Sequence, residues 1–557
     1  MAECTVGEYL LRRLREIGVG HVFGVPGDYE LEFLDQIEAA DGIEWVGNCN
    51  ELNAAYAADG YARLNGIAAL VTTFSVGELS ALNGIAGAFA ESVPVVSIVG
   101  TPATFVMQAH QQVHHTAGDG NFARAARCAG EYTAGQALLD RDNAALEIDR
   151  LLALCWLFKR PVYLMLPSDV AYQQIEAPSS PLPLPEPTSD PAMLARFTDR
   201  AAAMLRGAES VAVLVGHEVD RYRMAPQVIK LAEAIGCPVA ALSISKGVFP
   251  EDHDQYVGLY AGGLGDPEVQ RTVEQAGCVI AVGAQFADTI SGGTTGHIEP
   301  SRIIAVHPMS STTATTAHPH VAMADALSAL AGMDARNPAG IAPRRHPTAA
   351  GHPSGSGPLI QQRFWARMAS FFEPGDVVIA DQGTSYAGCC GVPLPRDCTF
   401  IGQPLWGSIG YTLPSLLGTM LAAPGRRHVL LIGDGSLQQT AQELSTLLRR
   451  DLNPIIILTN NDGYTVERYI LGADAAYNTI APWRYDRLVE AFDPTGTAVT
   501  LRATTEQDLM TALDTAAATR DRLVFIEAVM DRMDGPDSLL RLGKAMAGAD
   551  YQDATAA

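Results

Sequence analysis

The sequence is short of positive charge: 38 Lys and Arg stand against 62 Asp and Glu, a formal net charge of −24 over 557 residues. A protein that grips a phosphate backbone needs a concentrated positive surface, so this balance argues against nucleic acid as a partner. Cysteine is sparse and unpatterned. Nine residues, an odd number, run from Cys4 to Cys398 without paired metal-ligand spacing, and adjacent Cys389 and Cys390 are too close for an unstrained disulfide. That usage fits a reducing compartment. Long apolar runs are also missing. The opening MAECTVGEYLLRRLREIG breaks its helical pattern with acids and arginines, unlike a signal peptide, and no later stretch is long enough to span a bilayer. The expectation is a soluble, cytoplasmic protein with no membrane contact. There is no short-period repeat.

What is present is an alternation of short apolar runs with helical stretches. HVFGVPG, AALVTTF, PVVSIVG and PVYLMLP read as buried strands up to about Asp169. The proline-rich APSSPLPLPEPTSDP (177–191) cannot continue a sheet or a helix and reads as a linker. SVAVLVG, PVAAL, CVIAVG and RIIAVHP follow, then a Pro, Gly and Ser-rich loop from about Asn337 to Pro358, then VVIAD, HVLLIGDG, PIIILTNN and LVFIEAV. The predicted fold is α/β, with three doubly wound domains and mainly parallel sheets, over 1–175, 190–336 and 358–557. The middle domain has no G-x-G-x-x-G turn followed by a ribose-binding acid, so it is expected to be structural, with a loop near Ser291 approaching the site.

The most informative stretch is HVLLIGDGSLQQTAQELSTLLRRDLNPIIILTNNDGYTVE (428–467). One strand ends at Gly433-Asp434-Gly435, Ser436 is placed to cap the next helix, and Pro454 opens a strand ending at Asn460-Asn461. If the two strands are parallel, Asp434 and Asn461 emerge together at carboxyl ends, where α/β sheets place ligands. Carboxylate and amide oxygens suit a hard cation such as Mg²⁺ or Ca²⁺, and N–H groups at a helix start suit phosphate. Alone, GDG reads more readily as turn residues; the paired NN at the matching strand end reverses the balance toward a ligand site.

Elsewhere the readings stay open. Glu51, in NCNELNAAYAADGYAR (48–63), reads as a solvated acid at a helix start. The pair in HHTAGDG (114–120) reads as metal ligands, proton handlers or polar loop residues. Metal is least favoured, because adjacent side chains usually diverge and no third ligand completes a recognisable site.

GDGS followed by NND at this spacing resembles the cofactor motif of thiamine-diphosphate-dependent enzymes. The resemblance covers essentially the whole chain and is nearest to the pyruvate, indolepyruvate and branched-chain 2-oxo-acid decarboxylases. It implies that Asp434, Asn461 and the Gly463 carbonyl hold Mg²⁺, with Gly435, Ser436 and Tyr464 beside the cofactor. NELNAAYAADGYAR resembles the aminopyrimidine-binding segment, which makes Glu51 the activating acid. WGSIG (406–410) implies a backbone acceptor at Gly407, a neighbouring Ser408, and Ile409 as the prop for a bent cofactor; Thr384 in DQGTS is a further contact. HHTAGDGNF, GVPGDYELEFLD (24–35) and GYTVE resemble the segments that carry the decarboxylases' proton groups, here His114, His115, Asp28 and Glu467.

The implied reaction is nonoxidative: a cofactor ylide attacks the 2-oxo carbon, CO₂ leaves, the enamine is protonated and an aldehyde departs. By the same resemblance the substrate lies near Gln382, Tyr386, Ala387, Val466, Ile470, Leu542 and Met546. Ala387 and Val466 are small, which favours phenylpyruvate, indolepyruvate or 4-methyl-2-oxopentanoate over pyruvate. A homodimer at minimum, and a homotetramer by expectation, would bring the Glu51 domain of one subunit to the Asp434 domain of another. The alternatives are a carboligase sharing the cofactor and, more remotely, a non-catalytic thiamine diphosphate sensor.

Overall fold

The computed structural model describes residues 2–340 and 357–550. Most of the loop expected over 337–358, and residues 551–557, lie outside the described residues. The chain forms two compact units: Met1–Glu186 with Tyr411–Arg426 and Thr440–Leu452, and Pro187–Gly410 with Arg427–Gln439 and Asn453–Ala557.

The first unit is built on a six-stranded parallel sheet, in the order Glu44–Gly47, His21–Gly24, Ala68–Thr73, Val95–Thr101, Val162–Pro167, Gln136–Leu138. Ala68–Thr73 and Val95–Thr101 are buried at every position, as strands covered by helices on both faces must be. From His21–Gly24 the chain steps outward to Glu44–Gly47, then returns on the other side to Ala68–Thr73. That reversal is a switch point, where loops at the carboxyl ends splay apart and leave a crevice. Asp28 and Glu51 follow the two strands on one side of it.

The alanine-rich helix Glu51–Asn65 owes its small residues to one close neighbour, the helix Thr412–Ala422. A Cβ on Gly418 would stand 1.9 Å from the Ala57 carbonyl, and one on Gly60 would stand 2.3 Å from that of Ser415. Beneath this contact buried Arg63 pairs with Asp59 at 2.6 Å and Glu91 at 2.8 Å.

The second unit holds two sheets. One runs Tyr256–Leu259, Val239–Ala241, Val211–Val215, Cys278–Val282, Ile303–His307 in parallel, then adds antiparallel Ser310–Thr313 and Thr316–Pro319. The other is wholly parallel: Thr399–Ile401, Val377–Ala380, His428–Gly433, Ile455–Asn460, Val524–Val529, Val499–Ala503. It has the same kind of switch point, between Val377–Ala380 and His428–Gly433. Buried Lys246 donates to Glu251 Oε1 at 2.7 Å and to the Val392 carbonyl at 2.8 Å, tying the middle region to the chain just past the helix Thr384–Cys390.

The doubly wound α/β architecture agrees with expectation, and the strands that escape the sequence reading are edge or polar ones. EWVG and QAL are short, and SSTT and TAHP lack the apolar runs that mark buried strands. Pro191, read as linker, opens the helix Pro191–Gly207, whose first turn is capped by Asp190 accepting the Met193 N–H at 2.8 Å. Among the described residues no helix is long and apolar enough to cross a membrane.

Candidate active site

In the first unit the loop after Val95–Thr101 brings His114 to Asp28, with Nε2 2.9 Å from Oδ2. Tyr29 stacks on the His114 ring, centroids 4.9 Å apart and planes at 11°, and meets His115 edge-on. The rest of HHTAGDG closes the loop. Thr116 donates to the Val113 carbonyl at 2.7 Å, His110 Nδ1 lies 2.9 Å from the Gly120 carbonyl, and Asp119 is taken up by Arg124 at 2.7 Å.

The expectation that adjacent imidazoles diverge does not hold here. The two rings lie 4.5 Å apart, because His115 adopts a left-handed backbone with φ +59° that folds both toward Asp28. One ligating atom from each of Asp28, His114 and His115 lies within 4.8 Å of the others, so Asp28 is the third group missing from the sequence view.

Glu51 is the first residue of its helix and half-buried. Its carboxylate carries no hydrogen bond or ion pair to another described residue. Just behind Asp28, Glu30 is fully buried, and burial pushes its carboxyl up to about 7.

In the second unit the adjacent parallel strands His428–Gly433 and Ile455–Asn460 deliver Asp434 and Asn461 side by side. Ser436 is not the helix cap. The helix opens at Asp434, which accepts the Gly435 N–H at 2.8 Å with its own carboxylate, so Ser436 falls inside the first turn. Asp434 also accepts the Gly463 N–H at 3.1 Å. Burial nonetheless raises its carboxyl to about 6.

The Asn461 amide oxygen faces only other oxygens, 3.1 Å from the Gly463 carbonyl and 3.3 Å from Asp434 Oδ1, while its amide nitrogen donates to Thr465 at 2.9 Å. Turning the amide would replace this repulsion with hydrogen bonds; keeping the oxygen inward suits a hard cation between the three oxygens. Gly463 is required here. Its φ is +116°, and a Cβ would stand 2.3 Å from the Asn478 carbonyl.

These oxygens open into a cavity of about 310 Å³. Gln382, Thr384, Tyr386 and Ala387 line it from the start of one helix, and Gly407 and Ile409 from the loop before Gly410. Gly435, Ser436, Tyr464, Val466, Glu467 and Ile470 add the motif side, and Leu542 and Met546 the C-terminal helix. Ser408 is not on the wall. The C-terminal helix Asp537–Asp550 reaches the cavity because Gly543 lets it close on Tyr469, where a Cβ would meet the Tyr469 Cβ at 2.7 Å.

Three models of the thiamine pyrophosphate enzymes match the chain: the N-terminal TPP binding domain over residues 4–119, the central domain over 198–332, and the C-terminal TPP binding domain over 386–528. The chain is 45% identical to an alpha-keto-acid decarboxylase of Mycobacterium leprae (strain TN), over 97% of this chain and 95% of that protein. It is likewise 45% identical to the one from Mycobacterium tuberculosis (strain ATCC 25618 / H37Rv), over 98% and 97%. The chain belongs to the thiamine-diphosphate-dependent 2-oxo-acid decarboxylases.

Several residues beside the candidate site carry little signal in the sequence. Tyr29 adjoins Asp28 in the chain but reads as an ordinary loop aromatic until it is seen on His114. Buried Arg468 donates to the carbonyls of Asp462 at 2.5 Å, Asn478 at 3.1 Å and Asn461 at 3.4 Å, bracing the turn that carries the oxygens. Its one sequence signal is its place just after Glu467 in GYTVER. Leu539 and Thr289 also line the cavity of this decarboxylase. Thr289 comes from the middle region, beside the loop near Ser291 that was expected to approach; Ser291 itself lines a neighbouring cavity of about 350 Å³ that shares Leu542 and Met546.

Proposed function

We propose that the chain releases CO₂ and an aldehyde from 2-oxo acids with aromatic or branched side chains, using thiamine diphosphate held through Mg²⁺. The observation that carries this reading is the single cavity in which the oxygens of Asp434, Asn461 and Gly463 adjoin a wall containing Ala387 and Val466. Two small side chains leave room that bulkier ones would fill, and a change of a few methylenes in such a wall is worth tens to hundreds of fold in discrimination.

Asp434, Asn461 and the Gly463 carbonyl would hold Mg²⁺, with Gly435, Ser436, Thr384 and Tyr464 around the diphosphate. Glu51 would hydrogen-bond the aminopyrimidine, the Gly407 carbonyl would accept from its amino group, and Ile409 would support the bend. When bound, thiamine diphosphate supplies the electron sink into which the carbon–carbon bond breaks. The protein's share is orientation and proton traffic. Gln382 positions the 2-oxo acid against the side-chain wall of Tyr386, Ala387, Val466, Ile470, Leu542 and Met546. His114, whose Nε2 faces Asp28 Oδ2 at 2.9 Å, works with His115 and Glu467 to deliver and remove the protons that aldehyde release needs.

The same reading takes the homodimer as the minimum unit, and the tetramer as the expected one, with the Glu51 unit of one subunit serving the Asp434 unit of another. A cytoplasmic location is supported by all nine cysteines being free. CO₂ and aldehyde release from phenylpyruvate, indolepyruvate, 4-methyl-2-oxopentanoate and pyruvate, with and without thiamine diphosphate and Mg²⁺, tests it directly. Cofactor-dependent turnover with pyruvate slowest is expected. Pyruvate turned over most efficiently would sink the substrate assignment, and acyloin formed faster than aldehyde would move the chain to carboligation.

A further inference from the structure

Glu443 lies in the short helical turn Ala441–Glu443 of the first unit and is fully buried. Its Oε1 accepts from Asn48 Nδ2 at 2.8 Å. Its Oε2 accepts from Asn53 Nδ2 at 2.8 Å and from the Cys49 N–H at 3.3 Å. The three donors flank Glu51 on both sides.

The neighbouring contacts run the same way. Cys49 Sγ donates to the Gln442 carbonyl at 3.2 Å, and Arg449 donates to the Gly47 carbonyl at 2.7 Å. Asn50 caps the helix by accepting the Asn53 N–H at 2.8 Å. The segment 47–53 is thereby fastened to 442–449, with Glu51 itself left untouched.

Burying a carboxylate without a cation is costly, and no ion pair reaches Glu443 among the described residues. A carboxylate does what no neutral side chain of that length can: it offers acceptors on both oxygens. Glutamine would turn an NH₂ toward one of these N–H donors and open one arm of the clamp. The space around Glu51 leaves little slack, since a Cβ on Gly77 would stand 3.3 Å from Glu51 Oε1.

We infer that Glu443 is a positioning residue for Glu51: its buried carboxylate clamps Asn48, Cys49 and Asn53, fixing the helix start from which Glu51 meets the aminopyrimidine. The inference rests on the reading of Glu51 as the cofactor's activating acid. Displacing a reacting group by about 1 Å costs on the order of 100-fold in rate. A clamp at this distance from the chemistry therefore shows in the proton step while substrate binding is spared.

The test compares Glu443→Gln, Asn48→Ala, Glu51→Gln and Glu443→Gln/Glu51→Gln in the full chain. Two things are read: exchange of the thiamine C2 proton for deuterium in holoenzyme saturated with cofactor, and amide exchange of residues 44–56 in cofactor-free protein. Glu443→Gln is expected to slow C2 exchange and kcat by on the order of 100-fold, to leave KM within about threefold, and to speed amide exchange over 44–56. The double variant should be no slower than Glu51→Gln alone, because Glu443 acts through Glu51.

Wild-type C2 exchange in folded Glu443→Gln, or multiplicative loss in the double variant, would overturn the inference. Should Glu443→Gln not fold, Asn48→Ala removes the Oε1 donor alone, and the same C2 readout decides: slowed exchange supports the clamp and an unchanged rate refutes it. If Glu51→Gln exchanges at the wild-type rate, the reading of Glu51 has failed; if it is slow while Glu443→Gln and Asn48→Ala are normal, only the clamp has failed.

Discussion

His114 Nε2 and Asp28 Oδ2 stand 2.9 Å apart at the carboxyl edge of the first sheet, both more than half exposed, at 56% and 52% of their side chains. An imidazole nitrogen at this distance from a carboxylate oxygen is oriented by it, so the two are placed to act as a unit. His114→Asn and Asp28→Asn are each expected to lower kcat by two orders of magnitude or more, as loss of an acid–base group does. The double variant should be little worse than either single one. Steady-state kinetics with the preferred 2-oxo acid checks this, and fully multiplicative losses would show that the two work separately.

Arg468 touches neither substrate nor cation in the proposed site, yet it holds the carbonyls of Asn461 and Asp462. Groups that orient a metal's ligands typically matter by 10–100-fold in affinity. Arg468→Met should weaken Mg²⁺-dependent thiamine diphosphate binding by roughly that factor, read by calorimetry. Near-wild-type binding would mean the turn holds its shape unaided.

Ala387 forms part of the cavity wall. Ala387→Trp should cut kcat/KM for phenylpyruvate and indolepyruvate by on the order of 100-fold while sparing pyruvate within a few fold. A uniform loss across all substrates would place residue 387 outside the side-chain pocket.

Burial pushes the Glu30 carboxyl from its ordinary 4.5 up to about 7, with the Asp28 charge adding in the same direction. The folded state thus holds this proton more tightly than the unfolded chain. The contribution to stability is complete below the unfolded value and is lost as pH rises through about 7. Glu30→Gln, which cannot ionise, is expected to stabilise the protein at pH 8 by up to roughly 3 kcal/mol and to change little at pH 5. Thermal midpoints of both proteins at the two pH values decide it; equal shifts at both would show that Glu30 is not the titrating group.

The architecture was legible because buried parallel strands must be apolar along their whole length, and runs such as HVLLI and PIIIL cannot be mistaken for surface. The pairing of Asp434 with Asn461, the proposed cation site, was legible for a related reason: one strand–helix–strand unit fixes their spacing, and the chain leaves little freedom between them. Edge strands such as EWVG carried no such mark.

The sequence by itself determined the parallel α/β plan, the family, and which segments carry the acids and imidazoles, since these depend on local pattern and short-range spacing. Only the tertiary structure decided that the two imidazoles turn together toward Asp28, that Arg468 braces the NND turn, and that Glu443 grips the segment around Glu51. Each of those depends on a backbone angle or on groups far apart in the chain. No local preference encodes such contacts; the packed fold alone brings the partners within hydrogen-bond reach.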